Sequence, residues 1–182
     1  CGLRVRRAGV PLAAELADTG MQAWSAGRLV LANHVSWIDI FALNTVLPGR
    51  FVAKAEIGRW PLLGWLVALS GTIFIERGRR HAVAAINHRV RECLKAGESV
   101  AVFPEGTTTD GTHLLPFHSN LLAPAVDTGA PIWPVALRYT SDGRPTRAPA
   151  FVGEQTLPES LWAILTAPRL AIEIAVLAPI EP

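Results

Sequence analysis

The chain has 182 residues, of which 50% are hydrophobic and 18% are charged, and its formal net charge is +2 at pH 7. This length suits one domain with a substantial core, and the mean hydropathy of +0.30 favours a deeply buried sheet, a membrane surface, or both. So small a charge gives no indication of nucleic acid as a partner. The two cysteines, Cys1 and Cys93, make no disulfide framework, and Cys93 is predicted to be a small core residue.

The longest uncharged run covers residues 60–75 and is interrupted by Pro61, Gly64 and Gly71. A helix that crosses a membrane needs about 20 apolar residues, so this run predicts a buried helix followed by a buried strand. No signal peptide is visible. Because the chain opens with a strand-like stretch at residues 3–7, we expect residues 1–182 to be a single domain that lacks an N-terminal membrane-anchoring segment.

Short apolar runs typical of strands alternate with helical patterns along the chain. Strands are predicted at residues 28–33, 50–54, 72–75, 99–103, 132–137 and 169–178. Helices are predicted at residues 38–47, 62–69, 79–96 and 121–127, a short helix at 161–165, and a surface loop at 141–149. This alternation predicts an α/β fold with a mixed, largely parallel sheet flanked by helices.

Three polar segments follow predicted strands, which is where open α/β sheets bind ligands. In the first segment, residues 33–39, His34 follows a strand and Asp39 lies one helical turn into the next helix. A carboxylate on one imidazole nitrogen fixes the tautomer and raises the basicity of the other nitrogen, as a general base that takes a proton from a hydroxyl requires. The spacing of Ser36 and Asp39 also fits a helix capping box, which would leave His34 a structural residue.

The second and third polar segments offer contacts to anions. Arg77 lies at a strand end in residues 71–80, where an arginine can hold a phosphate through two hydrogen bonds. Residues 103–111 place Glu105, Gly106 and three threonines after a strand, which supplies backbone N–H and hydroxyl donors to an oxyanion or a phosphate. Both segments also fit ordinary polar turns.

Other kinds of site fit the sequence poorly. Asp-Thr-Gly occurs at residues 18–20 and 127–129, but the second copy ends a helical pattern, which excludes the paired carboxylates of an aspartic protease. The remaining histidines lack metal-ligand spacing, so no metal site is predicted. The chain has no nucleophile elbow, no phosphate-binding loop and no dinucleotide-binding glycine motif.

Taken in order, four blocks of residues resemble the 1-acyl-sn-glycerol-3-phosphate acyltransferase family and its glycerolipid acyltransferase relatives. The pattern N-H-x-S-x-x-D is matched by Asn33, His34, Ser36 and Asp39. The second block is matched by Lys54, Glu56, Pro61, Gly64, Gly71, Ile73, Phe74, Ile75 and Arg77, with Glu76 in place of aspartate. The pattern F-P-E-G-T-R-S is matched by Phe103, Pro104, Glu105, Gly106 and Thr107, with Thr108 in place of arginine. The fourth block, V-P-I-x-P-V-A, is matched by Ala130, Pro131, Ile132, Pro134, Val135 and Ala136.

The resemblance implies a single glycerolipid acyltransferase-like αβ domain. His34, oriented by Asp39, would deprotonate the free sn-2 hydroxyl of 1-acyl-glycerol-3-phosphate for attack on the thioester of acyl-CoA or acyl-carrier protein, giving phosphatidate. The resemblance also implies that the acceptor and its phosphate are bound by Arg77, Glu105, Gly106, Thr107, Thr108 and Lys54. It implies no metal, and no cofactor beyond the thioester co-substrate.

The departure at Thr108 leaves other functions open. The variant block also resembles acyltransferases that act on lyso-ornithine lipid, and a non-catalytic peripheral lipid-binding domain and a hydrolase are more distant alternatives. The resemblance implies that the apolar surplus forms an acyl-chain groove and a surface that faces a membrane, at the cytoplasmic face of the inner membrane. Trp60 and Trp65 are candidates either for anchors in that surface or for the core.

Overall fold

The computed structural model describes residues 3–9, 27–59, 64–65, 67, 71–75 and 82–182. The strands are β1 (Arg4–Gly9), β2 (Leu29–Ala32), β3 (Arg50–Lys54), β4 (Ile73–Ile75), β5 (Val100–Val102), β6 (Ile132–Ser141), β7 (Arg144–Pro145) and β8 (Ala171–Val176). The α-helices are α1 (Asp39–Asn44), α2 (Ala82–Lys95), α3 (Ala123–Thr128) and α4 (Leu157–Thr166), and short 3-10 helices lie at Ala55–Arg59 and Ser119–Leu122. Residues 64, 65 and 67, within the helix predicted at 62–69, are also helical, and the rest of that prediction lies outside the described residues.

The strands form one sheet in the order β1-β8-β6-β2-β5-β3-β4, and β7 pairs with the outer end of β6. β2 runs parallel to both of its neighbours, β5 and β6, and β3 runs parallel to both β5 and β4. β8 is antiparallel to β6 and parallel to β1. The predicted α/β fold with a mixed, largely parallel sheet is therefore confirmed.

Apolar side chains cover both faces of the sheet, because successive residues of a strand point to opposite faces. On β2, Val30 lies in one apolar cluster with Leu43 of α1, and α4 packs against the same cluster. Leu29 lies in the second cluster with Val90 and Cys93 of α2. The burial of Cys93 confirms its prediction as a core residue. The helices α1 and α4 thus share one face of the sheet, and α2 lies on the other.

The helices α1 and α3 differ from their predicted bounds. The helix predicted at residues 38–47 ends as α1 at Asn44, and the next three residues form a tight turn whose N–H groups bond back to Ala42 and Leu43. The helix predicted at residues 121–127 is a 3-10 turn followed by α3. Proline lacks an N–H and fits only the first turn of a helix, so the α-helix starts beside Pro124.

α4 is twice as long as the helix predicted at residues 161–165. Its start is set by a capping box in which the side chain of Glu159 accepts the backbone N–H of Thr156 at 2.8 Å. The predicted helix starts too late because it was based on the apolar residues 161–165, and the capping box lies before them. The correction matters because the longer helix reaches the segment that follows β2.

β6 extends beyond its predicted end at residue 137, because β8 continues to pair with it as far as Thr140. The surface loop predicted at residues 141–149 contains β7, which forms a hairpin with β6. Asp142 and Gly143 both have positive φ angles, 51° and 77°, as a tight hairpin turn of the Asp-Gly type requires. The added residues of β6 include Tyr139.

Candidate active site

The first and third polar segments form one site at the carboxyl edge of the parallel strands. β2 and β5 are adjacent and parallel, so the segments that follow them leave the sheet side by side. The backbone N–H of His34 donates to Glu105 Oε1 at 2.9 Å, and the N–H of Thr109 donates to the His34 carbonyl at 2.8 Å. The backbone of His34 is therefore held from both sides by the segment after β5.

His34 and Asp39 form a hydrogen-bonded pair, with His34 Nδ1 lying 2.8 Å from Asp39 Oδ2. The Asp39 side chain is fully buried, whereas the His34 side chain is 18% exposed. With Nδ1 engaged, Nε2 is the imidazole nitrogen that is left for a substrate, and no described residue hydrogen-bonds to it. This is the geometry that a general base acting on a hydroxyl needs.

Four donors surround the Asp39 carboxylate. Besides the imidazole, Oδ2 accepts the backbone N–H groups of Val35 at 2.7 Å and Ser36 at 2.9 Å, and Oδ1 accepts the Tyr139 hydroxyl at 2.5 Å. α1 begins at Asp39 itself, and the Ser36 hydroxyl is buried without a hydrogen-bond partner among the described residues. The capping box from Ser36 to Asp39 is therefore only half formed: the Asp39 carboxylate accepts the Ser36 N–H, but the Ser36 hydroxyl accepts no N–H of the helix.

Tyr139 is a neutral hydrogen-bond donor in this site. Burial raises the pKa of Tyr139 well above its ordinary value, and the charge of Asp39 and the hydrogen bond to it raise the pKa further. The phenol thus keeps its proton at neutral pH and donates a hydrogen bond to Asp39 Oδ1. A phenolate at this position would repel the carboxylate in a buried environment.

The His34 ring is packed as well as hydrogen-bonded. It stacks on Phe103, with 3.8 Å between ring centroids and 10° between ring planes. Phe103 in turn stacks on the fully buried Phe51, with centroids 6.4 Å apart. One face of the imidazole is therefore covered by an aromatic ring that the core holds in place.

Asn33 fixes the start of the segment that carries His34. Its side-chain Nδ2 donates to the Leu137 carbonyl at 3.0 Å, and the Leu137 N–H donates to its Oδ1 at 2.7 Å. β2 pairs with β6 through its backbone as far as Ala32. At Asn33 the side-chain amide takes the place of the backbone and makes the same two kinds of hydrogen bond to β6. This contact explains an asparagine directly before the histidine.

The residues predicted to bind the acceptor have different surroundings. Glu105 is buried, and its Oε2 accepts the backbone N–H of Leu115 at 2.8 Å, so both of its oxygens bond to backbone. The Thr108 hydroxyl donates to the carbonyl of Phe151. Thr107 is exposed, and its hydroxyl makes no hydrogen bond to another described residue. Thr107 is therefore the best placed of the three to contact a ligand, and acceptor binding by the whole set stays a prediction.

Gly106 has a φ of 72°, in the region that favours glycine. A Cβ at this position would lie 3.1 Å from the imidazole of His118. The backbone turn beside Glu105 therefore requires glycine both for its conformation and for the space beside it.

Three residues of the second block, Pro61, Glu76 and Arg77, fall outside the described residues, and so does Trp60. Lys54 ends β3, and only its backbone is described. β3 and β4 run parallel to β5, so their carboxyl ends lie at the same edge of the sheet as His34. Trp65 is 65% exposed, which removes the core as an explanation for it.

Sequence reasoning missed Tyr139 and a contact between Trp37 and Ser160. Trp37 Nε1 donates to Ser160 Oγ at 3.0 Å and ties α4 to the segment that carries His34. The signal for Tyr139 is the alternation of buried residues along β6, which continues from Leu137 to Tyr139 instead of stopping.

A family model for acyltransferases matches residues 15–138 of the chain. This chain belongs to the acyltransferase family. The matched segment contains His34, Asp39 and Glu105, while Tyr139 and the whole of α4 lie beyond it.

Similar proteins carry two kinds of acyltransferase name. The 1-acyl-sn-glycerol-3-phosphate acyltransferase of Neisseria gonorrhoeae is 44% identical over 149 residues, which are 81% of this chain and 58% of that protein. The lyso-ornithine lipid O-acyltransferase of Pseudomonas aeruginosa is 43% identical over 152 residues, which are 84% of this chain and 58% of that protein. This acyltransferase chain thus spans little more than half the length of these relatives.

The fold has a counterpart among solved structures. The crystal structure of the 1-acyl-sn-glycerophosphate acyltransferase from Thermotoga maritima superposes with a TM-score of 0.59 at 23% sequence identity. The match covers 99% of this chain and 62% of that one. At this identity it supports the fold of the acyltransferase chain.

Proposed function

We propose that this protein transfers a fatty acyl group from an acyl thioester to the free sn-2 hydroxyl of 1-acyl-glycerol-3-phosphate and so forms phosphatidate. The observation that carries the proposal is the 2.8 Å contact between His34 Nδ1 and the buried Asp39, which leaves Nε2 available to a hydroxyl. The family match and the relatives named as acyltransferases support the same chemistry.

The reaction proposed for this geometry needs one base and no acyl-enzyme. His34 Nε2 takes the proton of the acceptor hydroxyl as its oxygen attacks the thioester carbonyl carbon. Asp39 stabilises the imidazolium that forms. The carbon–sulfur bond then breaks, and the departing thiolate takes the proton from His34, so the products are an ester and a thiol. Neither a metal nor a further cofactor enters this sequence.

The donor is proposed to be acyl-CoA or acyl-carrier protein, and the acceptor has two candidates. Arg77 supports a phosphate headgroup, because the planar guanidinium of an arginine can bind phosphate through two hydrogen bonds. Thr108 supports lyso-ornithine lipid as the alternative, since its hydroxyl bonds to the Phe151 carbonyl and supplies no positive charge to a phosphate. The 43% identity to a lyso-ornithine lipid O-acyltransferase supports the same alternative.

The test is thiol release from acyl-CoA in the presence of either lysophosphatidate or lyso-ornithine lipid, with the esterified lipid identified as product. We expect release that depends on lysophosphatidate. Release only with lyso-ornithine lipid would move the proposal to the alternative acceptor. Release of free fatty acid without any lysolipid would indicate a hydrolase, and vesicle binding without turnover on either thioester donor would indicate a lipid-binding domain.

We further propose that the protein works at a membrane surface, at the cytoplasmic face, where acyl thioesters and lysolipids meet. In the described part of the chain, no helix is long and apolar enough to cross a bilayer. α4 instead presents an exposed apolar patch, defined by Leu161, Trp162 and Leu165, which are 43%, 71% and 52% exposed. Trp37 donates to Ser160 of α4, so the helix that carries the α4 apolar patch is tied to the His34 segment. Apolar and aromatic side chains on one helix face suit insertion into the headgroup region.

Replacing Trp162 by alanine is expected to weaken binding to vesicles of mixed neutral and anionic phospholipid by about tenfold, because about 1.4 kcal/mol of apolar transfer energy is lost. Vesicle sedimentation measures this directly. The matched control is Val126→Ala on α3, an exposed apolar residue on the face of the sheet opposite α4. Equal binding of the two variants to vesicles would show that the α4 apolar patch does not contact the membrane.

A further inference from the structure

We infer that Tyr139 is a positioning residue of the catalytic pair, which acts on His34 through the Asp39 carboxylate that both of them contact. Tyr139 lies on β6, shortly after the residues of the fourth block on the same strand and just beyond the segment that the family model matches. The inference rests on the proposed acyl transfer and adds to it a residue that sets the orientation of the base.

The two oxygens of Asp39 are held in different ways. Oδ2 accepts the imidazole Nδ1 and two backbone N–H groups of its own segment. Among the described residues, Oδ1 accepts one donor, the hydroxyl of Tyr139, which comes from 100 residues further along the chain. Without that hydroxyl, the carboxylate would be oriented only by donors from its own segment, residues 34–36, and by no other element of the fold.

Tyr139 is itself held rigidly, as a positioning residue must be. Its side chain is 3% exposed and lies in the same apolar cluster as Val135 and Leu137 of β6. Its backbone pairs with Ile172 in the antiparallel ladder between β6 and β8. The phenol oxygen is thus fixed by the sheet, and the carboxylate is fixed to the phenol.

The hydroxyl also affects how strongly the carboxylate favours the protonated imidazole. A donor on Oδ1 disperses part of the negative charge, and removing it in a buried site concentrates that charge next to His34. Loss of the hydroxyl should therefore stabilise the imidazolium relative to the neutral base. Neutral imidazole would then be populated only at higher pH, so the acidic limb of the pH profile of kcat/KM should move upward.

Few other ionisable groups face this pair in the described part of the chain. Glu105, from the segment after β5, uses both oxygens on backbone N–H groups. The same segment carries Asp110, which pairs with His113 and Arg147, and it is followed by His118, whose ring lies beside Gly106. Arg138 and Glu173 pair with each other. Each lies next to a core-facing residue in its strand, so both point to the face of the sheet opposite Tyr139. Glu159 of α4 bonds to its own helix start at Thr156. A shift of the pH profile would therefore report on Tyr139, His34 and Asp39.

The test replaces Tyr139 by phenylalanine, which keeps the ring and removes the hydroxyl. We expect kcat to fall on the order of 10-fold with KM little changed, and the acidic limb of kcat/KM to move up by about 0.5 pH unit. The control is Thr140→Val, which removes a buried hydroxyl from the neighbouring residue of the same strand. This control should leave both the rate and the pH profile unchanged.

A second readout does not depend on turnover. In protein labelled with 15N-histidine, the NMR titration of the His34 ring, assigned with His34→Gln, should have its midpoint at higher pH in Tyr139→Phe than in the unmodified protein. An unchanged midpoint in the folded variant would overturn the positioning role, even if acyl transfer is confirmed. A shifted midpoint in a protein that acylates neither lysolipid would uphold the positioning role and sink the proposed function instead.

Discussion

Replacing Asp39 by asparagine is expected to lower kcat/KM for acyl transfer by about 1,000-fold. The amide has nearly the same shape as the carboxylate. Its oxygen can still face the three donors that Oδ2 now accepts, and its NH2 group can donate to the oxygen of Tyr139. The protein should therefore fold. What is lost is the negative charge that stabilises the imidazolium formed when His34 takes the acceptor proton.

The measurement is the initial rate of thiol release from acyl-CoA with the accepted lysolipid, alongside circular dichroism and thermal unfolding. Asp127→Asn is the matched control, because Asp127 is exposed on α3 and pairs with Arg91, away from the site. A folded Asp39→Asn protein with a rate within tenfold of the control would contradict the pairing of His34 with a catalytic carboxylate.

Replacing Glu105 by glutamine is expected to lower the free energy of unfolding by about 2–3 kcal/mol. The carboxylate accepts two backbone N–H groups, from His34 and Leu115, at a position that is 4% exposed. A glutamine can accept only one of them, and its NH2 group would then face the other N–H without an acceptor. Because one of these bonds holds His34, we also expect kcat/KM to fall.

Urea denaturation measures the stability change. Glu154 is an exposed glutamate on the surface, and Glu154→Gln serves as the control, with an expected change of less than about 0.5 kcal/mol. Equal stability of the two variants would show that the hydrogen bonds of the buried carboxylate do not stabilise the contact between the segments after β2 and β5. In that case acceptor binding would become the better explanation for Glu105.

The pairing of His34 with Asp39 follows from the sequence because both residues lie in one short segment. When a strand ends at residue 33 and a helix starts a few residues later, the chain between them is too short to separate the two side chains, and they come into contact. The meeting of the segments after β2 and β5 follows from strand order, since the ends of adjacent parallel strands lie at one edge of the sheet. Those features depend on local pattern and on general rules of α/β folds.

The roles of Tyr139 and Glu105 depend on contacts that local pattern does not contain. Tyr139 reaches Asp39 from a strand that sequence reasoning ended at residue 137, because the pairing of β8 with the rest of β6 is not visible in β6 alone. Glu105 was assigned to the acceptor from its place in a motif, whereas both of its oxygens are directed at backbone N–H groups. A glutamate in a loop gives no sign of which donors the fold will bring to it.

The central proposal is that His34 is the base that activates a lipid hydroxyl for attack on a thioester. The most direct measurement is the transfer of a labelled acyl chain from acyl-CoA to the accepted lysolipid by the unmodified protein and by His34→Gln. We expect labelled ester from the unmodified protein and a rate at least about 1,000-fold lower from the folded variant. Comparable amounts of labelled ester from both proteins would show that another group activates the hydroxyl.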